Sequence, residues 1–104
     1  MRDFTFHPKN ASALLNLLAH PARLRVLELV SETEWDVNSL ATAVGLKQSA
    51  LSQHLKKLRD AELVETRRDR QTVLYFCRQE AVGKILKTLR ALAHLQGEKR
   101  FRRD

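Results

Sequence analysis

Residues 45–59, GLKQSALSQHLKKLR, decide the fold of this chain. Leu51, Leu55 and Leu58 recur at the i, i+4, i+7 spacing of one helix face, which predicts a helix over residues 47–60. Serine, glutamine and lysine fill the positions between the leucines. Serine weakens a helix relative to alanine and glutamine does not strengthen it, so helix formation alone does not explain these residues. They indicate contact with another molecule.

The segment immediately before this helix predicts its partner in a helix-turn-helix. In VNSLATAVGL, residues 37–46, Asn38 is the expected N-cap with Val37 packing ahead of it. Gly45 suits the left-handed position after the last turn. Two short helices joined by a tight, glycine-containing turn are typical of this motif. The residues expected to point inward from the short helix are Leu40, Ala41 and Val44.

The segment after the helix changes from helical to strand periodicity. Residues 63–67, LVETR, and 72–77, TVLYFC, contain β-branched and aromatic residues and flank the polar turn RDRQ. This pattern predicts a β-hairpin. The turn lacks Asn-Gly, so we expect a loop longer than two residues. A hairpin that follows a helix-turn-helix predicts a wing.

Three further helices complete the expected fold. NASALLNLLA at residues 10–19 holds four leucines, so we expect that helix to be well buried. Pro21 opens the second helix, PARLRVLELVSE, and a polar break follows at residues 31–36. The last helix runs from about residue 79 to 96. The order is α-α-α-α-β-β-α, a mainly α winged helix-turn-helix with one β-hairpin, as a single domain over 1–104 with a basic C-terminal tail.

Charge and cysteine content narrow the partner and the compartment. The net charge is +7, with 4 Lys/Arg against 5 Asp/Glu in residues 1–46 and 15 against 7 in residues 47–104. This asymmetry indicates a polyanion such as nucleic acid or a membrane surface, or simply serves solubility. Cys77 is the single cysteine, so no intrachain disulfide forms, which favours the cytoplasm. No apolar run reaches the roughly 18 residues that span a membrane, and no signal peptide is expected.

The polar face of the fourth helix and the hairpin tip are the expected double-stranded DNA contacts. Side chains of the helix N-terminal part enter the major groove in this motif, and arginines on a wing contact the backbone. A solvated helix face and a solvated turn are the alternatives, and His54 is equally compatible with packing. The expected base-reading residues are Gln48, Ser49, Ala50, Ser52 and Gln53. The expected DNA-backbone contacts are Lys47, His54, Lys56, Lys57, Arg67, Arg68, Arg70 and Gln71.

The first and last helices carry more apolar surface than one small domain needs, which predicts a homodimer. Two-fold symmetry then places two DNA-reading helices about one turn apart, roughly 10 base pairs. The expected interface residues are Leu14, Leu18, Val82, Ile85, Leu89 and Leu92.

LAHPARLRVLELV at residues 18–30 and LATAVGLKQSALSQHLKKLRDAELVETRRDRQTVLYF at residues 40–76 resemble the ArsR/SmtB family of bacterial repressors. The resemblance extends over roughly residues 12–95 and is strongest to the branch of the NolR and HlyU regulators. It implies a cytoplasmic, operator-binding transcription factor, a repressor in most members, that dimerises through its first and last helices. Lys47 stands where a serine commonly caps the fourth helix, so we expect a looser or 3₁₀ start there.

The sensing sites of the family are missing, so no metal or cofactor is expected. One metal-sensing class carries Cys-x-Cys before the fourth helix, where this chain has no cysteine. In another class, alignment on His94 leaves Ala81 and Gly83 at the ligand positions of Asp-x-His and Gly97 at that of the Glu. His94 and Glu98 form the one close ligand pair. Redox-sensing relatives use two cysteines, whereas Cys77 is alone and is expected to be a small residue of the second hairpin strand.

An enzyme and a protein-interaction module are the two classes of function that compete with a DNA-binding regulator. An enzyme is not expected, because no nucleophile, metal-hydrolase or phosphate-binding glycine motif is present. A winged-helix module that binds another protein is an alternative, because a fold does not fix a function. A regulator with an unrecognised metal or thiol sensing site also stays open.

Overall fold

The computed structural model of the protein describes residues 6–96, and within them the chain folds as a winged helix-turn-helix. The predicted mainly α class and the predicted order of helices and hairpin are confirmed, with one additional strand. The basic tail and Glu98 lie outside the described residues. The elements are α1 (Pro8–Leu18), α2 (Pro21–Glu32), β1 (Trp35–Asp36), α3 (Val37–Val44), α4 (Gln48–Asp60), β2 (Glu65–Asp69), β3 (Thr72–Phe76) and α5 (Glu80–Gln96).

The additional strand, β1, shows that the polar break expected at residues 31–36 was wrong. Its two residues pair antiparallel with β3, Trp35 opposite Tyr75 and Asp36 opposite Leu74, giving the strand order β1-β3-β2. The indole Nε1 of Trp35 donates to the Leu29 carbonyl at 3.0 Å. Two residues are too few to show the alternation of a strand, so the sequence gives no sign of β1, which forms by pairing with β3.

The helix-turn-helix begins two residues earlier than the sequence predicted. Asp36, not Asn38, is the N-cap of α3, and its carboxylate accepts a hydrogen bond from the Ser39 N–H at 3.0 Å. Hydrogen bonds from Ser39, first from its side chain and then from its N–H, lower the pKa of Asp36 below its usual 3.8. Gly45 ends α3 with φ 79°, which confirms its predicted left-handed conformation. Lys47 has an extended backbone and α4 is α-helical from its first residue, so the expected 3₁₀ start was wrong.

The core lies between the helix-turn-helix, α2 and the start of α5. Leu51, Leu55 and Leu58 of α4 are all buried, as predicted. Burying a leucine side chain contributes about 1.5–3 kcal/mol relative to exposing it, so these three residues fix α4 on the rest of the domain. The other buried apolar residues are Leu18, Val26, Leu27, Leu29, Val30, Leu40, Ala41, Val64, Cys77, Val82 and Leu86.

The hairpin turns through two residues, Arg70 and Gln71, because Asp69 pairs with Thr72. The expected longer loop was therefore wrong. Arg70 adopts φ 61° without being glycine, a left-handed conformation that costs about 1–2 kcal/mol for an ordinary residue. The first strand also starts two residues later than predicted, because Val64 packs in the core instead of extending the sheet.

The two outer helices leave apolar surface uncovered within one chain. Leu15 of α1 is 60% exposed, so the expectation that the first helix is well buried was wrong for the isolated chain. On α5, Leu89, Leu92 and Leu95 are 44%, 37% and 77% exposed. Val82, near the start of α5, lies in the core instead, so α5 is buried at its N-terminal end and exposed further along.

Candidate nucleic-acid interface

The outer face of α4 presents a continuous polar surface. Gln48, Ser49, Ser52 and Gln53 are all exposed. Ser49 and Gln53 lie opposite the three buried leucines and Ser52 lies beside them, whereas Gln48 is exposed because of its place in the first turn. Ala50 differs from the other four predicted base-reading residues, because it is half-buried on one side of the helix. The same side carries His54, one turn further along. The exposed surface of α4 is therefore made of amide and hydroxyl groups.

Basic groups lie at both ends of this polar surface. Lys47 is exposed at the N-cap, and because it has no acceptor atom the first-turn N–H groups of α4 stay open to an external anion. Lys56 is exposed and its Nζ lies 3.0 Å from Asp60. Both partners are well exposed, so this ion pair is weak and can exchange for a phosphate. Lys57 is exposed on the next position.

The hairpin carries the second group of predicted DNA-backbone contacts, and one of these residues is paired with a carboxylate of the protein. Arg68, Arg70 and Gln71 are exposed at the tip. Arg67 lies further from the turn and donates from Nε and Nη2 to the two carboxylate oxygens of Glu34, at 2.6 and 2.7 Å. The hydrogen bond from Arg67 lowers the pKa of the Glu34 carboxyl. Sequence patterns missed this pair because its members are 33 residues apart.

A second bidentate pair lies where the hairpin returns to the body of the domain. Arg78 donates to the Glu65 carboxylate at 3.2 and 2.9 Å, and its guanidinium lies 5.4 Å from the centre of the Phe76 ring. The hydrogen bond from Arg78 lowers the pKa of Glu65. One exposed ion pair thus joins the middle of β2 to Glu34, just before β1, and another joins the start of β2 to Arg78, just after β3.

A polar groove joins α4 to the hairpin. Ser52, Lys56 and Arg59 form the helix wall of the groove, and Thr66 and Tyr75 belong to its strand wall. The groove therefore continues the polar surface of α4 onto the sheet. Asp60, Glu62 and Glu65 also line the groove, so its charge is mixed.

His54 faces inward, not outward with the other predicted backbone contacts. It is half-buried, and its Nδ1 accepts a hydrogen bond from Nε of Arg23 at 3.2 Å. The His54 ring also lies 4.4 Å from that of His20, centroid to centroid. This arrangement agrees with the packed-histidine alternative considered for the sequence.

Within residues 6–96, no group of three or more His, Cys, Asp or Glu side chains is close enough to hold a metal ion. Cys77 is buried just beyond the end of β3, and its N–H donates to the Val30 carbonyl at 2.9 Å. No helix among these residues is long and apolar enough to cross a membrane.

Comparison with known proteins identifies the family. Residues 20–66 match the pattern of the bacterial regulatory proteins of the arsR family. The chain is 51% identical over 79 residues to nodulation protein NolR of Rhizobium meliloti, covering 76% of this chain and 65% of NolR. It is 39% identical over 92 residues to the transcriptional activator HlyU of Vibrio cholerae, covering 88% of this chain and 85% of HlyU. The chain belongs to the ArsR family.

Solved structures of regulators share the fold of this ArsR-family chain. The crystal structure of NolR from Sinorhizobium fredii superposes with a TM-score of 0.73 at 42% identity, covering 91% of this chain and 98% of NolR. The predicted resemblance to the NolR and HlyU branch is confirmed. The protein is accordingly a transcriptional regulator and not an enzyme. Another relative, 34% identical over 79 residues, is a biofilm growth-associated repressor of Agrobacterium fabrum, so this similarity includes both a repressor and an activator.

Proposed function

We propose that this protein is a sequence-specific repressor that binds an inverted-repeat DNA operator as a homodimer in the cytoplasm. One observation carries the proposal: three buried leucines hold α4 so that its amide and hydroxyl side chains project together from the domain. A helix with this geometry can enter the major groove with its N-terminal residues against the base edges. We therefore take α4 as the recognition helix.

The polar residues of the recognition helix have suitable chemistry for reading bases. Gln53 can bond the N6 and N7 of adenine in a bidentate manner, and the hydroxyls of Ser49 and Ser52 can donate or accept. Gln48 lies in the first turn, which is the part of the helix closest to the bases in this motif. Ala50 is half-buried, so we propose it as a contact for a thymine methyl only at the edge of the interface.

Backbone contacts come from both ends of the interface. Lys47, Lys56 and Lys57 on α4, and Arg68, Arg70 and Gln71 on the hairpin, are exposed and accessible to phosphates. Two of the sequence-predicted backbone residues have protein partners instead. Arg67 is bonded to Glu34 and His54 is bonded by Arg23. We therefore assign these two a role in holding α4 and the hairpin in place.

The homodimer is supported by the exposed leucines of the outer helices. Leu89 and Leu92 continue the row of half-buried Ile85 along α5, and half-buried Leu14 lies on α1. Leu18 and Val82 are only 5% and 2% exposed in the single chain, so we remove them from the proposed interface. Exposed Leu15 and Leu95 are candidates to replace them. Large apolar side chains left exposed on the outer helices of a small domain are candidates for an interface.

Selection of bound fragments from random DNA, followed by footprinting, tests the proposal. We expect an inverted repeat with half-sites separated by about one helical turn, roughly 10 base pairs. Leu89→Glu should lower both the sedimentation mass and the operator affinity, whereas Thr88→Glu, which adds the same charge one residue away, should do neither. In vitro transcription from the selected operator then separates repression from activation. If no sequence is enriched, the protein is a protein-interaction module and the proposal is wrong.

A further inference from the structure

Two histidines and an arginine join the recognition helix to α2 through one hydrogen bond, between Arg23 and His54, and one ring contact, between His20 and His54. His20 is the N-cap of α2, and its Nδ1 accepts a hydrogen bond from the Ala22 N–H at 3.2 Å. Arg23 donates from Nε to Nδ1 of His54 at 3.2 Å and from Nη1 to the Leu17 carbonyl at 2.8 Å. The two histidine rings lie 4.4 Å apart with an interplanar angle of 59°. Arg23 thus connects the end of α1, the start of α2 and the middle of α4.

Both histidines must be neutral for these hydrogen bonds to exist. A neutral imidazole has one N–H donor and one acceptor nitrogen, whereas a protonated imidazole has two donors and no acceptor. Because each ring accepts at Nδ1, each ring carries its proton at Nε2. Adding a proton to Nδ1 of His54 would turn this acceptor into a donor, so the hydrogen bond from Arg23 would be lost. Adding one to His20 would remove the side-chain cap of α2.

The charged surroundings of His54 oppose its protonation. The groups that act on it are His20 and Arg23 from α2 and its N-cap, and Lys57 from α4 itself, all of them basic. The α1 helix contributes a backbone carbonyl, which is already occupied by Arg23. Asp60 lines the same cleft as Arg23 and Lys57, but it is paired with Lys56. Burial first, then repulsion between His54 and His20 when both rings carry a proton, and then the charges of Arg23 and Lys57, hold the pKa of His54 below its usual 6.5.

We propose that the neutral His20–His54 pair fixes the recognition helix on α2, and that acid loosens this docking and weakens DNA binding. This inference rests on the proposed DNA-binding function. The direction of the effect is diagnostic. A histidine that gained a proton beside DNA would add a positive charge near phosphates and strengthen binding. At His54 the added charge would be repelled by the neighbouring charges of Arg23 and Lys57.

Because the pKa of His54 is lowered in the folded protein, protonating this ring lowers the stability of the fold. The folded protein binds a proton at His54 less readily than the unfolded chain, whose histidine keeps a pKa near 6.5. The contribution of a neutral His54 is therefore complete above pH 6.5 and is lost as the pH falls below 6.5 and through the lowered folded value. The pH window of the effect is mildly acidic.

The experiment uses a double variant, His20→Asn with His54→Asn, that keeps both acceptors without titrating. The Oδ1 of asparagine can replace Nδ1 of histidine, and asparagine is a favoured N-cap. Thermal unfolding of the free protein and binding to the selected operator are measured at about pH 7.5 and about pH 5.5, at constant ionic strength. The control is His94→Asn, because His94 is exposed on α5 and far along the chain from this group.

We expect the wild type and the His94→Asn control to lose about tenfold in operator affinity on acidification, and the double variant less than about twofold. Tighter binding of the wild type in acid, or an equal loss in the double variant, overturns the proposal. If no variant binds specific DNA at any pH, the proposed function fails, yet the unfolding curves still decide this inference. If acid lowers the unfolding temperature of the wild type but not that of the double variant, the proposed role of His20 and His54 is supported. If acid lowers both unfolding temperatures equally, that role is refuted.

The protonation of His54 in the wild type gives an independent readout should the double variant fail to fold. The ring-proton NMR signals of His54 are followed against pH, with exposed His94 as the internal reference. A midpoint for His54 below that of His94 supports the proposal. A midpoint at or above that of His94 overturns it.

Discussion

The recognition helix and the hairpin carry the two halves of the proposed DNA surface, but different forces hold them. Leu51, Leu55 and Leu58 attach α4 to the core with at most 2% of each residue exposed. Within the described chain, neither β2 nor β3 contains a fully buried residue. The hairpin is held by its strand pairing and by the exposed pairs Arg67–Glu34 and Arg78–Glu65. The helix depends on deep apolar burial, whereas the hairpin depends on strand pairing, on half-buried side chains such as Tyr75 and, to a small extent, on exposed ion pairs.

This difference predicts different responses to salt. Added salt weakens exposed ion pairs, least for charges in contact and most for charges further apart than the Debye length of about 8 Å at physiological ionic strength, whereas buried leucine contacts are not affected in this way. Salt should therefore loosen the hairpin while α4 keeps its position. A specific contact that survives in moderate salt is expected to come from the helix, and a contact that weakens first is expected to come from the hairpin.

The largest effect should come from a leucine that anchors the helix. Leu55→Ala leaves a cavity in the core and should lower the free energy of unfolding by about 2–5 kcal/mol. Leu74→Ala makes the same chemical change on β3, where the side chain is only half-buried, and should cost about 1 kcal/mol. Urea denaturation of both variants measures the contrast. Similar losses for the two would show that the helix and the hairpin are anchored alike.

A smaller effect is expected at Asp36, which belongs both to β1 of the sheet and to the N-cap of α3. Asp36→Ala removes the acceptor for the Ser39 N–H and should cost about 1 kcal/mol of unfolding free energy, whereas Asp36→Asn keeps a good cap and should cost less. The folded pKa of Asp36 is lowered, so the charged cap contributes above pH 3.8 and is lost as the pH falls through the lowered value. An acid profile identical in wild type and Asp36→Ala would exclude this contribution.

The smallest change in stability is expected at Glu34. Glu34→Gln removes the charge that pairs with Arg67 on an exposed surface, so thermal unfolding should change little. The freed guanidinium becomes available to phosphate, and the slope of log affinity against log salt should steepen by about one. Glu65→Gln frees Arg78 in the same way at the other end of the hairpin and is the matched control. An unchanged slope in Glu34→Gln would mean that Arg67 does not reach the DNA even when it is free.

The parts of the fold that were predictable from the sequence are those with local signals. The leucine row of α4 and the left-handed Gly45 are recognisable because their spacing or residue type is sufficient. The strand β1 was not, since two residues pair with β3 about 40 positions away in sequence. The two-residue turn was missed because Arg70 takes a positive φ that is usually left to glycine.

The candidate site was predictable to a similar degree. Exposure of Ser49, Ser52 and Gln53 follows from helix geometry once the leucines are fixed inward, and that of Gln48 follows from its place in the first turn. The partners of His54 and Arg67 do not follow, since Arg23 and Glu34 are 31 and 33 residues away from them. Such pairs depend on how the elements pack, which a single sequence does not specify.

The most direct test of base reading by α4 is the effect of Gln53→Ala on two kinds of DNA. Affinity is measured by fluorescence anisotropy, in matched salt, for the selected operator and for random DNA of equal length. We predict a loss of about tenfold on the operator and almost none on random DNA, because a bidentate glutamine–adenine contact contributes only at its own base. Gln71→Ala, the same change at the wing tip, should weaken both equally. Equal losses for Gln53→Ala on the two DNAs would contradict the account.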